Sequence, residues 1–177
     1  MSKSNNKLLI ENIYTNIIKT SRNKSFFLGL KVEDTVEGRF DIIILHSFII
    51  FNYFIGIEKS KSELPQLLFD YMFLDFDSSL REMGFGDIAV NKRMKQFIKA
   101  FYGRIDNYSK SLVQLVDFND YRMLNETISR NIYKEKSIEE ECIVFWREYI
   151  VNSISYFNSN TLDENINNLF AFSNLKI

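Results

Sequence analysis

Apolar residues recur at helical spacing along nearly the whole chain. Leu9, Ile13, Ile17 and Thr20, with Ile10, Tyr14 and Ile18 beside them, predict a helix from about Leu8 to Arg22. A short turn through Ser25 to Leu30, broken at a glycine, separates it from a second long helix that starts after Asp34 and runs to about Glu58. Its segment from Ile42 to Ile57, IIILHSFIIFNYFIGI, is apolar on nearly all sides, which places it at the centre of a bundle. Ser60 to Ser62 make a polar loop, and Pro65 sits near the next helix start.

The third long helix is predicted over Glu63 to Met83, with Leu64, Leu67, Leu68, Tyr71, Met72, Phe76 and Leu80 as its buried stripe and Gly84 as a left-handed stop. Asp87 is placed to cap a fourth, in which Val90, Met94, Phe97, Phe101, Ile105, Tyr108 and Leu112 form a regular seam. Helices over about Tyr121 to Tyr133, Ile138 to Phe157 and Leu162 to Phe172 complete the pattern. Asp34 to Glu37, Ser137 to Glu140 and Thr161 to Glu164 each read as a capping box, an acceptor at the N-cap with Glu three residues on. Alternating strands are absent. The expectation is an all-α, single-domain helical bundle of about six to eight helices spanning residues 1–177.

Composition agrees with that architecture. Seventeen Phe and nine Tyr against six Gly and one Pro describe a core of large side chains joined by few sharp turns. The Ile42 to Ile57 run is shorter than the about 20 residues a bilayer core needs and is interrupted by His46, Ser47 and Asn52, so a buried central helix is expected. Twenty-two basic residues nearly cancel 23 acidic ones, so no overall field draws the chain to DNA. Met1 to Asn12 has lysines but neither a secretory apolar stretch nor an Arg-rich amphipathic helix, which points to a bacterial cytoplasm, with peripheral contact to the inner membrane as an extension of it.

The candidate chemistry is sparse. Cys142 is the single cysteine, expected as a buried thiol, and His46 is the single histidine, expected as a satisfied core residue. A di-iron bundle site needs Glu-x-x-His pairs, and Ile43 stands where the Glu would be. Asp75 and Asp77 point to different sides of one helix, and Gly84-Phe85-Gly86-Asp87 lacks the strand and Gly-Lys-Ser/Thr of a phosphate loop. No catalytic residue, metal or cofactor is expected.

Charge is distributed unevenly between neighbouring helices. The third holds Glu63, Asp70, Asp75, Asp77 and Glu82 against Arg81, and the fourth Lys92, Arg93, Lys95, Lys99 and Arg104 against Asp87. Packed antiparallel, these opposite charges face each other across the Gly84 to Gly86 corner and align the hairpin. Lys92, Lys95 and Lys99 also fall at spacings of three and four, a basic stripe able to meet RNA, anionic lipid or an acidic client loop.

Two segments carry a family signature. The first is Leu28 to Thr35, then Glu37-Gly38-Arg39-Phe40-Asp41 and Leu45-His46. The second is Leu68 to Phe73, Asp75-Phe76-Asp77, Leu80 to Asp87, Val90, Lys92, Arg93, Lys95 and Phe101-Tyr102-Gly103-Arg104. In order and spacing they resemble the ubiquinol–cytochrome c chaperone family across about Tyr14 to Tyr133, with Phe76 and Phe85 standing where the family often has Met and Val; residues 134–177 carry no recognised motif. Mitochondrial members bind newly made cytochrome b near the ribosomal exit and act with a small partner protein.

The resemblance implies a non-enzymatic assembly factor with cytochrome b as client, contacted through Arg81, Glu82, Gly84, Phe85, Gly86 and Asp87 at the corner and through Lys92, Lys95, Lys99 and Arg104 on the following helix. Two other readings remain open at this point. One is a bundle holding a quinone or lipid among Phe40, Phe48, Phe51 and Phe54; the other is a helical interaction domain with a different client.

Overall fold

The computed structural model describes residues 3–57 and 63–159, and all their regular structure is helical. Seven helices follow in order: α1 (Lys3–Ser21), α2 (Lys24–Leu28), α3 (Val36–Ile57), α4 (Leu64–Glu82), α5 (Asp87–Phe118), α6 (Arg122–Tyr133) and α7 (Glu140–Ser159). The all-α bundle is as the periodicity predicts. The expected loop at Ser60 to Ser62, the Thr161 cap and the helix over Leu162 to Phe172 lie outside the described residues.

α3 is the axis of the bundle and touches α1, α4, α5, α6 and α7. Its position explains its sequence: with neighbours on every side, Ile42, Ile44, Leu45, Phe48, Ile49 and Ile50 are all buried, and no polar face is needed. Counted from Val36, the helix is long and apolar enough to cross a membrane, contrary to the shorter run read from Ile42, but 78% of that stretch is buried by the protein's own helices. Burial of each large apolar side chain contributes about 1.5–3 kcal/mol, so α3 holds the largest share of the core.

The aromatic side chains lock neighbouring helices together. Phe40 stacks on Phe97 of α5 at 4.2 Å between centroids, Phe48 on Tyr108 at 5.1 Å, and Phe51 meets Phe101 edge-on at 5.5 Å. Across α1 and α4, Tyr14 lies edge-on to Tyr71 at 5.4 Å and donates its hydroxyl to Asp75 at 2.7 Å. Trp146 of α7 stacks on Phe26 of α2 at 4.9 Å, and its ring N–H donates to the Tyr133 hydroxyl at 2.9 Å. That hydroxyl donates in turn to the Leu30 carbonyl, tying α6 and α7 to the connection before α3.

Three local expectations shift. The segment Ser25 to Leu30 is a turn of helix, α2, because Asn23 caps it by accepting from the Ser25 N–H at 3.0 Å. At the start of α3 the cap is Thr35, whose hydroxyl accepts from the Gly38 N–H at 3.0 Å, while Asp34 is taken by a two-pronged pair with Arg39. α7 begins at Glu140, past the predicted Ser137 box, because Lys134 and Glu135 both adopt left-handed backbone and Glu139 is drawn to Lys31 at 2.5 Å. Cys142 is buried, and burial pushes its thiol pKa up.

Candidate functional site

The corner between α4 and α5 is built by its backbone first. Gly84 sits at φ +87°, and two hydrogen bonds close the end of α4, Gly84 N–H to Arg81 O at 2.9 Å and Phe85 N–H to Leu80 O at 3.2 Å. This is the glycine-terminated helix end that the sequence predicts. Gly86 differs in its ordinary φ of −71°; a Cβ at either glycine would meet nothing within 4 Å, so the backbone of the corner is open to an approaching chain. The Asp87 cap is not realised. Gly86 occupies the N-cap position without a side-chain hydrogen bond, and Asp87 lies in the first turn of α5.

Arg81 holds the corner's shape. Its guanidinium donates to Asp77 one turn back at 2.6 Å and reaches across to Asp87, so a single exposed cation spans both helices. Its neighbour Glu82 is exposed and accepts a long hydrogen bond from Ser78 at 3.4 Å. Phe85 is half-buried beneath the Arg93 guanidinium, 4.6 Å from its ring centre, and Arg93 in turn donates to Glu37 of α3 at 2.8 Å.

Arg104 departs most from a surface role. Its side chain is 17% exposed and pairs at 2.5 Å with Asp41, which is 1% exposed, and Lys134 reaches the same carboxylate from the end of α6. Burial pushes the Asp41 pKa up, and the two cations pull against that shift. The motif letters thus pair largely with one another: Asp34 with Arg39, Glu37 with Arg93, Asp41 with Arg104, and Arg81 with Asp87. Among the described residues the expected match of α4 acids with α5 cations is not formed: the ion pair between the two helices, Arg81 with Asp87, joins the minority charge of each, and Arg93 and Arg104 turn toward α3 instead.

Glu37 and Asp41, which no site expectation included, are the anchors of this arrangement. The signature segment Glu37-Gly38-Arg39-Phe40-Asp41 contains both, and they are the two acids spaced one turn apart at the start of an otherwise apolar helix.

The lysine stripe is as spaced. Lys92, Lys95 and Lys99 are exposed, and none pairs with a carboxylate among the described residues. Ile88, 88% exposed, and Tyr102, 58% exposed, continue the same row at each end, so the outer face of α5 reads Ile–Lys–Lys–Lys–Tyr at intervals of four, three, four and three. Tyr102 is seated against Phe69 at 5.6 Å, and Leu74 is exposed on α4. Apolar and cationic side chains are therefore presented together, next to the corner.

His46 is fully buried. The Ile42 carbonyl, an acceptor, lies 2.8 Å from Nδ1, so Nδ1 carries the proton, and Nε2 accepts from the Tyr149 hydroxyl at 2.7 Å. Ser21 lies 3.0 Å from the same protonated Nδ1, so the ring has no lone pair with which to activate that hydroxyl. Of the residues named for a quinone or lipid site, Phe48 and Phe51 are packed against aromatic partners on α5 and Phe54 lies against Tyr53, while Phe40 stacks on Phe97 and also borders an open cleft.

A helical scaffold whose signature residues clamp α3, α4 and α5 together, with an exposed apolar and lysine face on α5, defines a protein of the all-α bundle class. The chain belongs to the ubiquinol–cytochrome c chaperone family, whose model matches residues 29–149. It is similar to the ubiquinol–cytochrome c reductase complex assembly factor 1 of Mus musculus, 21% identical over 89% of this chain and 52% of that protein. The Homo sapiens protein of the same name is 22% identical over 89% of this chain and 51% of its own length. The chain thus spans about half the length of these curated relatives. The crystal structure of the Cbp3 homolog from Brucella abortus superimposes with a TM-score of 0.74 at 28% identity, over 92% of this chain and 88% of that one.

Proposed function

We propose that this chain is an assembly chaperone for the ubiquinol–cytochrome c reductase complex, holding cytochrome b transiently on the α4–α5 corner and the outer face of α5, with no catalytic step of its own. Family membership supports the complex, and one observation supports the surface: Ile88, Lys92, Lys95, Lys99 and Tyr102 lie exposed in a single row, with the lysines unpaired among the described residues. Exposed apolar groups flanked by cations suit a membrane-protein client whose apolar segments need cover and whose surroundings are anionic.

The same row supports a cytoplasmic location at the periphery of the inner membrane. Each lysine near an anionic bilayer contributes about 1 kcal/mol, so three give about 3 kcal/mol, weak and salt-sensitive as a handover requires.

A photo-crosslinking residue at position 88 or 95 in growing cells tests the reading, with position 148 on α7 as control. Cytochrome b peptides captured at 88 and 95 but not at 148 are expected, together with loss of assembled reductase in cells carrying Lys92→Glu, Lys95→Glu and Lys99→Glu. Normal cytochrome b and reductase levels in a strain lacking the gene would sink the proposal. Capture of ribosomal RNA or of a small partner protein in place of cytochrome b would reassign the surface.

A further inference from the structure

A cleft of about 540 Å³ lies between the end of α1, the short α2, the first turns of α3, the last turns of α4 and Phe97 of α5, and none of the lysine row lines it. It falls within the roughly 300–1,000 Å³ of small-molecule sites. A helix with its side chains is about 10–12 Å across and rises 5.4 Å per turn, so one turn alone takes up about 400–600 Å³. The cleft therefore accommodates a small molecule better than a client helix.

Its interior and its mouth differ in chemistry. Ile18, Val36, Phe40, Ile43, Phe76 and Leu80 line an apolar trough. At the mouth, Arg22 and Lys24 are exposed and neither is paired with a carboxylate among the described residues. Of the acids nearby, Asp34 is paired with Arg39 at 2.6 Å, while Asp75 accepts from the Tyr14 hydroxyl at 2.7 Å and keeps its charge. Leu28, 80% exposed, and Met83, 57% exposed, form an apolar lip.

We propose that this cleft binds an amphiphile with a single hydrocarbon chain and an anionic carboxylate or phosphate head, the chain lying in the trough and the head meeting Arg22 and Lys24. Charge complementarity sets the sign of the head: with Arg39 and Asp34 paired to each other, Arg22 and Lys24 outnumber the Asp75 carboxylate in the lining. The site is separate from the α5 face, and it stands or falls independently of the chaperone reading.

Titration calorimetry on the full chain tests it with dodecanoate and dodecyltrimethylammonium, which share a tail and differ in the sign of the head, each below its micelle concentration. Saturable binding of one dodecanoate per chain is expected, at least ten-fold tighter than the cationic analogue. The double substitution Arg22→Glu with Lys24→Glu, at exposed positions that leave the core intact, should weaken dodecanoate at least ten-fold. Ser79→Trp, on the half-buried cleft wall, should abolish binding of both.

Equal affinity for the two heads, dodecanoate binding untouched by either variant, or no saturable binding overturns the proposal. Adsorption to phosphatidylglycerol vesicles without any binding of free dodecanoate also overturns it, because the affinity would then belong to the α5 lysines.

Discussion

His46 makes the stability of this bundle depend on pH in a window where few other groups titrate. Its ring is 0% exposed and its neutral form is fully engaged, Nδ1–H with the Ile42 carbonyl and Nε2 with the Tyr149 hydroxyl. Protonation would put a charge in the apolar interior and set the Nε2 proton against the Tyr149 O–H. Burial lowers the pKa to about 4, with the Ile42 carbonyl pulling weakly the other way, against about 6.5 in the unfolded chain.

Below pH 6.5 the unfolded state therefore binds the proton first. The contribution is fully present above 6.5 and is lost as pH falls toward 4. At about 1.4 kcal/mol per unit, the loss comes to about 3 kcal/mol, a large part of the about 5–15 kcal/mol of a typical domain. Urea unfolding at pH 7.5, 6.5, 5.5 and 4.5 measures it, and His46→Gln provides the reference because an amide does not titrate. The wild type should lose stability at up to about 1.4 kcal/mol per pH unit across the window while the variant stays nearly level. Asp41, with its pKa raised by burial, acts with the opposite sign but is present in both proteins, so it cancels in the difference. Equal slopes for the two proteins between pH 6.5 and 5 would refute the reasoning.

Other perturbations separate the roles assigned to the signature residues. Arg104→Ala strands Asp41 in the interior with only Lys134 beside it, and chemical denaturation should show a loss of about 3–5 kcal/mol. Gly38→Ala would bring a Cβ to 2.0 Å from the Glu33 carbonyl oxygen, so the approach to α3 must shift, and the thermal midpoint should fall by the equivalent of about 1–3 kcal/mol. Gly84→Ala, at φ +87°, should cost about 1–2 kcal/mol, whereas Gly86→Ala, with open space around it, should leave folding stability within about 0.5 kcal/mol.

The helices and their buried stripes were legible because periodicity is local: Leu68, Met72, Phe76 and Leu80 needed only their own segment to be read as one face. Caps erred where a side chain had a competing partner, distant in the chain when Glu139 pairs with Lys31 and local when Asp34 turns to Arg39. The charge pattern of α4 and α5 misled for a related reason. Counting charges per helix ignores rotation about the helix axis, and Arg93 and Arg104 flank the Phe97 and Phe101 seam that faces α3, while Lys92, Lys95 and Lys99 lie outside it. No sequence signal marked the cleft, because its walls come from five helices that meet only in the folded chain.

The family segment begins at residue 29, yet α1 ends before it. That helix is no appendage: Ile10, Ile13 and Ile17 are buried, and Tyr14 is bound to Asp75 inside the matched region. A fragment trimmed to the family boundaries would leave one side of α3 and α4 bare and would be an aggregating species, not a minimal domain. The helix that closes this side also supplies Ile18 and Ser21 to the cleft wall, and Arg22 follows its last residue. What the cleft admits is thus set partly by residues that precede the matched segment.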